Sequence, residues 1–135
     1  MDKGGKHAVD LSIEEFMVPL TTVVKSQFIT ARAAARHMVK QRSGVIIFLT
    51  GSPAREHVEG STAIGAAYGA VESLMENLAL EVGPVGVIAV CLSTTANTDS
   101  RTIQDVINST SAATNATKEQ VTGTVANSTA GAAMD

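Results

Sequence analysis

The chain has no Trp, one Tyr and three Phe in 135 residues. Aromatic rings therefore cannot fill its interior, and a core must be built from Val, Ile, Leu, Met and Ala. Hydrophobic residues make up 44% of the sequence, and 135 residues suffice for one domain with a buried core. The single cysteine, Cys91, excludes an internal disulfide. It stands in an apolar run, where it reads as a small apolar filler. No apolar run approaches the roughly 18–20 residues that span a bilayer. Met1–Ala8 is charged and has no apolar stretch of the signal-peptide kind, so the expectation is a soluble cytoplasmic protein. A net charge of −3 gives no electrostatic case for nucleic acid or an anionic membrane. His37 and His57 have no ligand set at metal spacing, and no metal is expected. Asn108, Asn115 and Asn127 head N-x-S/T sequons, which read as chance in a segment crowded with Asn, Ser and Thr.

What is present centres on Gly44–Ser93. Gly44-Val45-Ile46-Ile47-Phe48-Leu49-Thr50 and Val87-Ile88-Ala89-Val90-Cys91-Leu92 are short, continuous apolar runs rich in branched residues. A helical pattern ending at Gly83-Pro84 separates them. Two such runs joined by a helix predict neighbouring parallel strands, a βαβ unit. Within the helix, Val71, Leu74, Leu78 and Val82 step by a helical period, and Glu72, Glu76 and Glu81 form an acidic face. Its early turns are crowded with small residues, among them Gly65, Ala66, Gly69 and Ala70. They predict close approach of another backbone, from the sheet or from a partner helix.

Ahead of this unit, Ser12-Ile13-Glu14-Glu15 matches a capping box, so a helix starts there. Pro19 predicts a short helix near 13–18 followed by a longer one from 19 to about 41. Leu20, Val24, Phe28, Ala31, Ala35 and Met38 form its apolar stripe, and Lys25, Arg32, Arg36, Lys40 and Arg42 its solvated basic face. Gly51–Gly60 reads as a loop at the carboxyl end of a strand, where open parallel sheets bind ligands. After the second strand, Arg101–Ile107 predicts two helical turns. Residues 108–120 lack apolar periodicity and are expected to be flexible. Val121–Asn127 alternates branched and small residues and reads as a last short strand, which makes three.

The words Phe28-Ile29-Thr30-Ala31-Arg32-Ala33-Ala34-Ala35-Arg36-His37-Met38, Ser43-Gly44-Val45-Ile46-Ile47, Tyr68-Gly69-Ala70, Leu78-Ala79-Leu80-Glu81-Val82-Gly83-Pro84 and Val121-Thr122-Gly123-Thr124 occur in that order. Together they resemble the short-chain dehydrogenase/reductase family. The resemblance covers most of residues 10–100 and the end of the chain. It implies an α/β fold: a partial Rossmann-like, doubly wound parallel sheet of about three strands with flanking helices. The N-terminal nucleotide-binding half, with its Gly-rich turn, is expected to be missing from this single domain of residues 1–135, whose main βαβ portion is 8–100. The implied activity is NAD(P)-dependent hydride transfer on a small carbonyl or hydroxyl substrate. NAD or NADP is the implied cofactor, and this chain could also bind none.

Residue by residue, Tyr68 matches the family's general acid/base. The Lys that follows four residues later is Glu72 here, which reverses the charge beside the phenol. Gly51 aligns with the family's Ser, and Ser52, one residue on, is the candidate substitute. The family's Asn aligns with Val23. The Pro-Gly that lines the nicotinamide pocket aligns near Thr94 and Thr95, the candidate cofactor-binding positions. In the family, the two helices corresponding to 19–41 and 62–82 pack between subunits. That implies a homo-oligomer, or pairing with a related subunit. The alternative to an enzyme, impaired or inactive as this chain, is a non-catalytic interaction module using those helices.

Overall fold

The computed structural model describes residues 6–55, 59–94, 101–114 and 116–123. It divides into two compact units, Met1–Ser93 and Thr94–Asp135.

In the first unit, helix α1 (Ile13–Pro19) begins at the capping box that the sequence predicts. Ser12 N–H donates to Glu15 Oε2 at 2.9 Å, and Glu15 N–H donates to Ser12 Oγ at 3.2 Å. Two of the orphan amides at the helix start are thereby satisfied. The chain then passes Pro19 without a break. A π-helical segment, Leu20–Val24, links α1 to α2 (Lys25–Gln41). Proline has no N–H for the α-helical ladder, and one wide turn absorbs the defect. Thr21 and Thr22 help, donating their hydroxyls to the carbonyls of Met17 and Val18. The extra residue in the wide turn shifts the phase of the helix. Phe28, expected on the apolar stripe, is 47% exposed, and its neighbour Gln27 turns inward instead.

Helix α2 ends on Arg42, which takes the left-handed conformation (φ 56°). Strand β1 (Gly44–Gly51), helix α3 (Thr62–Val82) and strand β2 (Val87–Thr94) then form the predicted βαβ unit, with β1 and β2 adjacent and parallel. Ala31 and Ala35 of α2 and Val71 and Val82 of α3 pack on Ile46, Phe48, Val87 and Ala89. Small residues on α2 let that helix lie close to the sheet. Phe48, 1% exposed, supplies the bulk between them. Both helices therefore cover the same face. Burial alternates along the strands, with Ile46, Phe48 and Thr50 inside and Val45, Ile47 and Leu49 outside. Among the described residues, no helix is long and apolar enough to cross a membrane.

In the second unit, helix α4 runs Arg101–Thr114, twice the length predicted. Ile107 is buried within it. The helix thus extends into the segment 108–120, as far as Thr114. A further helical turn covers 118–123. It overturns the predicted third strand at 121–123, and residues 124–127 lie outside the described residues. The physical reason is a second capping box, Thr117-Lys118-Glu119-Gln120. Thr117 N–H donates to Gln120 Oε1 at 2.9 Å, and Gln120 N–H donates to Thr117 Oγ1 at 3.3 Å. Val121 N–H then closes the first turn on the Thr117 carbonyl at 3.1 Å. The described sheet has two strands.

Candidate active site

The carboxyl end of β1 and the first three turns of α3 form one cluster. β1 ends in Thr50-Gly51, and the chain turns at once into a 3-10 turn, Ser52–Ala54. Pro53 within that turn fixes its backbone, and Arg55 N–H donates to the Ser52 carbonyl at 2.9 Å. The turn sits on α3 at Gly65: a Cβ there would come within 2.8 Å of the Pro53 carbonyl oxygen. This answers what the small residues are for at that position. The backbone that approaches is the turn after β1.

Tyr68 lies one helical turn further along, with its ring against Gly51. A Cβ built on Gly51 would be 2.8 Å from Tyr68 Cε2. Glycine at 51 therefore makes the room the ring occupies, and a side chain at 51 competes with Tyr68 for the same space. Ser52, the candidate substitute for the family's Ser, is half-buried at the head of the 3-10 turn. Among the described residues, no hydrogen bond joins its hydroxyl to that of Tyr68. Thr94 is the exposed last residue of β2. Thr95 and His57 lie outside the described residues.

Glu72 follows Tyr68 on the same helix face, four residues on. Its carboxylate is held at both oxygens. The hydroxyl of Thr50, 2% exposed, donates to Oε1 at 3.4 Å, and Arg55 Nε donates to Oε2 at 3.2 Å. The Thr50 hydroxyl also lies 3.3 Å from Cys91 Sγ on β2. Glu72 thus ties together the strand end, the turn and the helix. Sequence reasoning placed Glu72 beside the phenol but did not find Arg55. The signal was there: a lone cation in the loop after β1, opposite an acidic helix face.

The profile of the family described as short chain dehydrogenase matches residues 3–105. The chain belongs to the short-chain dehydrogenase family. It is 32% identical over 84 residues to a chloroplastic protein of Arabidopsis thaliana named NADPH-dependent aldehyde reductase-like. That match takes in 62% of this chain and 31% of the reductase-like protein. The fold of this chain is similar to that of sorbitol-6-phosphate 2-dehydrogenase from Erwinia amylovora, with a TM-score of 0.78 at 18% identity over 87% of this chain and 46% of the other. An acetoin dehydrogenase from Salmonella typhimurium is 27% identical with a TM-score of 0.64, over 68% of this chain and 39% of its own. The chain spans less than half the length of each of these short-chain dehydrogenase relatives.

Nicotinamide cofactors are general to the short-chain dehydrogenase family. The residues around Tyr68 do not fit the nicotinamide end of such a cofactor as the resemblance places it. Where the family has an ammonium to hold the ribose, this chain has a carboxylate whose two oxygens are already bonded to Thr50 and Arg55.

Proposed function

We propose that this chain keeps the substrate-side architecture of an NAD(P)-dependent oxidoreductase without its proton relay. On this reading it does not carry hydride transfer by itself. One observation supports this above the others. Glu72, and not a lysine, follows Tyr68 by one turn, and Thr50 and Arg55 hold it in place. A general acid next to a developing alkoxide benefits from a neighbouring cation, and a fixed carboxylate acts in the opposite direction. The relatives are named for aldehydes, a sugar phosphate and acetoin. A small carbonyl or alcohol is therefore the substrate class this reading assigns to the space beside Tyr68. A reducing compartment such as the cytoplasm suits the free thiol of Cys91.

The test is nicotinamide absorbance with small aldehydes, ketones and alcohols, in both directions. The expected result is that wild type and Tyr68→Phe both match the blank. Turnover that depends on Tyr68 would overturn the proposal.

A second reading is an interaction module built on α2 and α3. It is favoured by Leu80, 78% exposed on the acidic helix, and by Ile29, 56% exposed on the basic one. In this reading a related subunit, or a second copy, meets Arg32 and Arg36 with its own acidic helix. Charge reversal at Glu76 and Arg36 should abolish such pairing.

A further inference from the structure

We draw no further inference here: the strongest candidate, the groove of about 480 Å³ between α2 and β1 lined by Gln27, Thr30, Ala34, Val45, Ile47 and Leu49, lies along the edge of the described sheet, and nothing in the structure shows what covers it.

Discussion

The ring of Tyr68 occupies the space that a side chain on Gly51 would need, with only 2.8 Å between Cε2 and a Cβ at that position. This contact couples the end of β1 to the helix that carries the phenol. Gly51→Ala should therefore push the ring aside and cost about 1–3 kcal/mol of stability. In a Tyr68→Ala background the same change should cost less than about 1 kcal/mol, because the clash is gone. Urea unfolding of the four proteins measures this directly. Equal costs in both backgrounds would show that ring and strand end are independent.

Gln27 should protect a single strand amide. Its side chain makes both bonds to Leu49. Gln27→Ala should speed hydrogen exchange at Leu49 while leaving Phe48 slow, with a stability loss of about 1–2 kcal/mol for two exchanged bonds. Gln27→Glu keeps the acceptor but sets a carboxylate oxygen against the Leu49 carbonyl, and should be the worse of the two. Exchange measured residue by residue separates these outcomes.

The two partners of Glu72 should differ in weight. Arg55 is largely in solvent, with 73% of its side chain exposed. Arg55→Ala should then cost about 0–1 kcal/mol. Glu72→Lys removes one acceptor of the buried Thr50 hydroxyl and sets two cations together, at about 1–3 kcal/mol. Thermal or urea unfolding checks the order. An Arg55→Ala cost as large as that of Glu72→Lys would contradict the exposed geometry.

Acid should loosen the start of α1 before the core. The Lys6 ammonium, with the Ser12 backbone N–H, holds the Glu15 carboxyl below the usual carboxylate range. A folded-state value below the unfolded one means that the contribution is complete above the ordinary range of about pH 4–4.5. It is lost as pH falls through the lowered folded value. Protection of the first amides of α1, taken relative to their intrinsic exchange rates, should fall on acidification below about pH 4. Lys6→Ala should move the Glu15 titration up toward the ordinary range, as read by side-chain NMR.

Much of this fold was legible in the residues. Ser12 and Glu15 announced the start of α1, and the two branched runs with a helical pattern between them announced the βαβ unit. Tyr68 was singled out by resemblance. The misses have local causes. Val121-Thr122-Gly123 has the composition of a strand, but Thr117 and Gln120 start a helix just before it, and a cap decides geometry where propensity is weak. Phe28 fits the apolar period only for an unbroken α-helix, and the wide turn after Pro19 moves Gln27 into its place. Arg55 was legible only as a lone cation in the loop after β1; its pairing with Glu72 is a contact 17 residues away in sequence, which no local pattern gives. The exposure of one sheet face could not be read from strands that are apolar on both sides.

On the proposed reading, Glu72, held by Thr50 and Arg55, leaves Tyr68 without a nicotinamide partner in this chain. Calorimetric titration of the full chain with NADH and NADPH up to ~1 mM tests it most directly. No binding heat is expected from either cofactor. Saturable binding with a Kd below ~100 μM would show that Tyr68 keeps a nicotinamide partner despite Glu72.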